Sequence, residues 1–344
     1  MEGSIQKRSF IEGKRFAVLG FLLLLIMPFM MGTYYQSIMI LILFYAFCAT
    51  AWNVVCGLVG ELSLGHSLFL GLGAYISTIL LRDLSLTPWI GMLIGAAVTC
   101  AVGVLIGYPC FRLSGPYFAL TTIALTNLVK IWVENNEYFF GIDVKGSMGL
   151  LLEQTGNQPI AFEFGSKLTY YYIMFVFLVI ALFIMHKVKS SKMGYYLTAI
   201  KTSPEAAEAM GIPIRRYKLM AMAVSCALMA VGGTFYAQYY RYVGPTRIFG
   251  EDLAIQIAMI ALVGGSGKTF GPLIGAVILV PVTELLSKQF GGVLPGLHLF
   301  VYGIVMIFVV FFMPKGIYDI VTGFFKRLES RIFHPSVKGA GGDS

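Results

Sequence analysis

Apolar positions run along this chain in long blocks, broken at a few points by short polar stretches. No Asp, Glu, Lys or Arg occurs from Phe16 to Gly60. That length holds two membrane spans, with a break expected near Gly32-Thr33-Tyr34-Tyr35. Further apolar blocks cover Trp89–Phe111, Gly115 to about Glu134, Leu168–Met185, Leu219–Tyr240, Leu253–Val263, a run from Leu273 past Pro281, and Leu299–Met313. Leu253–Val263 is short for a crossing unless it begins before Asp252. The pattern predicts an all-α polytopic integral membrane protein with about ten transmembrane or partly spanning helices.

Composition agrees. Of 344 residues, 58% are hydrophobic and only 12% charged, with a mean hydropathy of +0.80. A soluble domain carries roughly 25% charged residues, so the medium expected for this surface is a lipid bilayer. The net charge of +8 gathers in a few loops, as in membrane proteins, so nucleic acid is not an expected partner. The five cysteines all sit in apolar stretches, with no CxxC or Cys/His spacing. They read as small hydrophobes and predict neither disulfides nor a metal site.

Charge sets the orientation. Lys187–Lys218 has seven Lys/Arg against two Glu, whereas Glu134–Lys167 has five acids against Lys145 and Lys167. One span separates the two loops, so they belong on opposite sides, the basic one cytoplasmic. Both termini are then expected in the cytoplasm. Residues 1–15 form a cytoplasmic segment, 16–314 a transmembrane domain that includes the loop 187–218, and 315–344 a cytoplasmic tail.

Inside the basic loop, Ser203-Pro204-Glu205-Ala206-Ala207-Glu208-Ala209-Met210-Gly211-Ile212-Pro213 encodes a short, well-delimited helix. Ser203 is an N-cap, Pro204 suits the first helical position, and Glu205 favours the positive end of the dipole. Gly211 supplies a left-handed end and Pro213 stops continuation. Two turns do not persist alone in water, so a support is expected, with Ala206, Ala209 and Met210 as its apolar contact face.

A second unusual stretch is Gly57 to Tyr75, which holds Gly60, Glu61, Gly65, His66, Ser67, Gly71 and Gly73. Glycine with a charge and a His in an apolar run suits either a broken helix lining a cavity or close helix packing. A membrane His beside Ser and Glu also suits plain hydrogen-bonded structure. Gly91-x-x-x-Gly95 and Gly103-x-x-x-Gly107 suit tight helix contacts. Gly264 to Gly275 faintly echoes the first glycine-rich stretch. Its Ser266-Gly267-Lys268-Thr269 lacks the leading glycine of a phosphate loop, since position 262 is Leu.

Four motifs together resemble the branched-chain amino-acid ABC transporter permease family, nearest its LivM-type subunits, whose relatives include urea and amide permeases. They are Gly60-Glu61-Leu62-Ser63-Leu64-Gly65-His66 with Gly71-Leu72-Gly73-Ala74-Tyr75; Tyr117-Phe118-Ala119-Leu120-Thr121-Thr122; Gly264-Gly265-Ser266-Gly267 with Gly271-Pro272 and Gly275-Ala276; and Glu205-Ala206-Ala207 followed by Gly211, similar to the EAA-x-x-x-G signature of importer permeases. Two departures stand out. Ile212-Pro213 arrives at once in place of the longer signature, and Glu61 stands where the family usually has Gln.

The resemblance implies a plasma-membrane importer for branched-chain amino acids or related small amides. Two permease subunits, two ATPases and an extracytoplasmic binding protein would assemble it, with ATP on the partner chains and no cofactor or catalysis in this one. It also implies that Ser203, Glu205, Ala206, Ala207 and Gly211 dock onto an ATPase. The translocation path is expected near Glu61, Gly65, His66, Ser67, Gly71 and Gly73. The alternative is an autonomous ion- or proton-coupled transporter or channel using Glu61, His66 and Glu284.

Overall fold

The longest charge-free run folds into the central helix of the molecule. In the computed structural model, which describes residues 24–139, 142–153, 156, 158–290 and scattered positions between 300 and 323, α1 spans Thr33–Asn53. It continues into a wider π-helical turn over Val54–Val59, ending at Gly60 with φ +88°. Gly32 precedes α1 in extended backbone, so the predicted break falls there. The segment 16–23 lies outside the described residues.

The other long helices follow the apolar blocks: α2 His66–Leu84, α3 Pro88–Cys110, α4 Pro116–Asn135, α5 Lys167–Ser190, α8 Ile214–Tyr240, α10 Glu251–Gly265 and α11 Gly271–Phe290. A turn of helix, α9 (Pro245–Ile248), precedes α10. Together α9 and α10 make a 21-residue span, which supplies the earlier start that Leu253–Val263 needed. Among the described residues, seven helical stretches are long and apolar enough to cross a bilayer, and Gly271–Leu286 is a shorter apolar helix. The predicted block Leu299–Met313 lies largely outside the described residues.

Helix packing follows the small residues. The buried positions of α3 include Gly91, Gly95, Thr99, Gly103 and Gly107, a single stripe at four-residue spacing. Leu93, Val98 and Leu105 are exposed on its other faces. A side chain at Gly73 would collide with the backbone of Ala230 on α8, and one at Gly233 with that of Leu70 on α2. Close backbone approach of this kind drives helix association where lipid offers no hydrophobic gain.

The acidic and basic loops occupy opposite ends of the bundle, as their charges require. At the acidic end, β1 (Tyr138–Phe139) pairs with β2 (Ile142–Asp143), and β3 (Leu150–Leu151) pairs antiparallel with β4 (Tyr242–Val243) just past α8. Arg82 Nη2 donates to Asp143 O at 2.6 Å, tying in the end of α2. At the basic end, the loop after α5 folds into α6 (Lys192–Thr202) and α7 (Pro204–Ala209). Lys201 Nζ donates to Gly57 O at 2.9 Å and Lys189 Nζ to Gly267 O at 2.6 Å, so two lysines hold carbonyls of the two glycine-rich stretches.

Candidate functional site

The residues from Gly60 to Gly65 have no helical structure. The chain leaves α1, turns at Gly60, and runs back into the bundle before α2 begins at His66. Trp52 Nε1 donates to Ser63 O at 2.6 Å, and Leu64 N donates to Thr122 Oγ1 at 3.2 Å. Side chains of α1 and α4 thus serve backbone groups that no helix satisfies, as non-helical backbone at this depth requires.

His66 marks how deep the re-entry goes. Its Nε2 lies 2.9 Å from Ser225 Oγ, seven residues along α8 from Lys218, or about 10 Å of rise. Ser225 Oγ spends its one proton on Ala51 O at 2.7 Å, so it accepts from Nε2–H. Ser63 Oγ then donates to Nδ1 at 2.8 Å in a neutral ring. The ring is wholly buried, and a charge on it would be uncompensated. His66 therefore acts as a strut joining α2, α8 and the re-entrant segment.

Glu61, at the mouth of this segment, has a partner 157 positions away. Lys218 Nζ reaches Glu61 Oε1 at 2.6 Å, both side chains about nine-tenths buried. The other carboxylate oxygen accepts Gly115 N–H at 3.3 Å, and the ammonium sits 5.7 Å from the Phe111 ring centroid. One ion pair therefore joins the re-entrant segment, the α3–α4 turn and the start of α8. Sequence reading singled out Glu61 but gave it no partner.

The remaining glycines of the stretch are packing sites. A Cβ at Gly65 would stand 2.6 Å from Thr122 O, and one at Gly71 would enter the Phe249 ring. Ser67 is buried, and its hydroxyl has no hydrogen-bond partner among the described residues. The two glycine-rich stretches, far apart in sequence, meet at the basic end. Asn53 accepts Gly267 N–H through Oδ1 at 2.8 Å and donates from Nδ2 to Lys268 O at 3.0 Å. Gly57 fits this contact because a Cβ there would lie 2.6 Å from Gly267 N.

At the same end, α7 has the caps its sequence predicts. Ser203 Oγ accepts Ala206 N–H at 3.3 Å, Pro204 opens the helix, and Gly211 has φ +79°. Ile212 N–H closes back onto Ala207 O at 3.1 Å. The support is Ala207, buried in a satellite cluster with Val54, Leu58, Leu197 and Ile200. Ala206, Ala209 and Met210, expected as the contact face, point away from the chain, with Met210 71% exposed. Glu205 and Gly211 are exposed as well. Helix α6 was missed by sequence reading. Its buried Gly194, Leu197 and Ile200 recur every third residue, the signal that would have found it.

The family model described as "Branched-chain amino acid transport system / permease component" matches residues 34–310. The high-affinity branched-chain amino acid transport system permease protein LivM of Escherichia coli (strain K12) is 27% identical over 296 residues, 81% of this chain and 69% of that protein. Its Salmonella typhimurium counterpart is 28% identical, over 75% of this chain and 65% of that protein. A probable LivM permease of Methanocaldococcus jannaschii is 22% identical, over 66% of this chain and 68% of the relative. No solved structure shows a significant match.

Proposed function

From the premise that the chain belongs to the branched-chain amino acid transport permease family, we propose that it is the membrane subunit of an ATP-driven importer of branched-chain amino acids in the plasma membrane. As a permease component it is a transport subunit and not itself an enzyme. Its proposed partners are two cytoplasmic ATPases that bind the ATP, a second permease subunit and an extracytoplasmic binding protein.

The observation that carries this reading is α7. It is capped at both ends, buries Ala207 against its own chain, and presents Glu205, Ala206, Ala209 and Met210 outward. It stands between α6 and the start of α8, four residues before Lys218 (Ile214 to Lys218). A push on α7 therefore reaches Lys218, Glu61 and the re-entrant segment through rigid elements. That route gives ATP hydrolysis a means of moving Gly65, His66 and Ser67, the proposed neighbours of the translocation path. The autonomous ion-coupled alternative has less support, because Glu61 is committed to Lys218 and His66 to two serines.

The test is purification of the intact complex and its reconstitution in liposomes with the binding protein outside and ATP inside. ATP-dependent leucine uptake is expected. Uptake by this chain alone, driven by an ion gradient, would replace the importer reading with the alternative.

A further inference from the structure

At the acidic end, opposite α7, a cavity of about 230 Å³ opens between α1, the end of α8 and the α9–α10 junction. It is smaller than the roughly 300–1,000 Å³ of sites for drug-sized ligands, so it suits one small solute and excludes a peptide. One wall is apolar, formed by Leu41, Phe44 and Leu253. The rim carries Arg247 and Asp252, charges of opposite sign. Among the described residues neither forms a salt bridge. The Arg247 guanidinium rests 5.4 Å from the Tyr240 ring centroid, and Glu284 lies within its electrostatic reach.

A free amino acid with an aliphatic side chain presents three features: a carboxylate, an ammonium and a branched apolar group. We infer that this cavity is a subsite for such a zwitterion. Arg247 receives the carboxylate, Asp252 the ammonium, and the Leu41–Phe44–Leu253 wall the side chain. The planar guanidinium matches a carboxylate with two parallel hydrogen bonds. Gly250, the N-cap of α10, lines the same cavity, with Asp252 in the first turn of that helix. A neutral solute would answer neither rim charge, and a purely cationic one would leave Arg247 without the carboxylate. The inference rests on the reading of the chain as an amino-acid permease and gives that reading its outward-facing contact residues.

The experiment uses the intact complex in liposomes and measures leucine uptake beside basal ATP hydrolysis. Arg247→Gln and Asp252→Asn are each expected to lower uptake at least tenfold, with assembly and basal hydrolysis unchanged. Arg247→Lys keeps the charge without the fork and should fall between. Lys130→Gln, a cation outside the cavity, should leave uptake unchanged. A Thr246→Cys variant reports occupancy: its labelling by an impermeant thiol reagent should slow in saturating leucine and not in saturating leucinamide, which lacks the carboxylate. If the unmodified complex takes up no leucine, the functional reading fails. If it does, and the Arg247 and Asp252 variants match it, the subsite alone is overturned. Thr246→Cys labelling that leucine and leucinamide slow equally also overturns the carboxylate assignment.

Discussion

Replacing Glu61 by Gln changes one oxygen to an NH2 group and barely alters shape. In this structure it leaves the Lys218 ammonium about nine-tenths buried with no carboxylate 2.6 Å away. The Phe111 ring at 5.7 Å is a weak substitute. Removing one partner from a buried pair costs about 3–5 kcal/mol, because the surviving charge keeps its desolvation penalty. Lys218→Met should cost a similar amount by stranding the carboxylate, which among the described residues retains only the Gly115 N–H hydrogen bond. The double variant Glu61→Gln/Lys218→Met has no stranded charge and should recover most of the loss. Apparent melting temperatures of the detergent-purified protein, all taken at one scan rate because the midpoint of an irreversible transition depends on it, would read the cycle. Two melting-point drops that add in the double variant would refute the pairing. A Glu61→Gln protein that melts with the unmodified one would do the same.

Three further outcomes follow from the geometry. Single cysteines at Gln158 and Lys192 sit at opposite ends of the bundle, so an impermeant reagent outside intact cells should reach only Gln158→Cys; equal labelling would overturn the orientation. (Asn157, the natural first choice for this probe, lies outside the described residues.) Gly211→Val forces a branched side chain into φ +79° at about 1–3 kcal/mol. With nothing within 4 Å to clash, it should spare insertion while weakening ATPase association in pull-downs, and full association would leave α7 a mere surface turn. Gly65→Leu drives a side chain into the Thr122 carbonyl 2.6 Å away, so it should lower both melting temperature and transport, and normal values for both would contradict the close approach of α2 and α4.

What the sequence revealed here was local. Helix α7 was legible because Ser203, Pro204 and Gly211 act on their own neighbours, and the spans were legible because a bilayer demands unbroken apolar length. The face of α7 was misjudged because burial depends on α6 and the end of α1, which were not visible as neighbours. Glu61 attracted notice as a charge in an apolar run. Its partner is 157 residues away, and no periodicity connects the two. The contact between the glycine-rich stretches showed only as a faint echo, since Asn53 meeting Gly267 is a tertiary fact. The π-helical turn at Val54–Val59 has no mark in its residues at all.

That separation of 157 residues also sets a timetable for biogenesis. A ribosome adding roughly 5–20 residues per second takes roughly 8–30 s to pass from Glu61 to Lys218. Through that interval Lys218, the partner of the acid, and Ser225, which accepts the hydrogen bond of His66 Nε2–H, have not been made. The re-entrant segment therefore cannot take its final place during early insertion. Its contacts with Lys218 and Ser225 close only once α8 has been made, so a segment synthesised early completes its packing late.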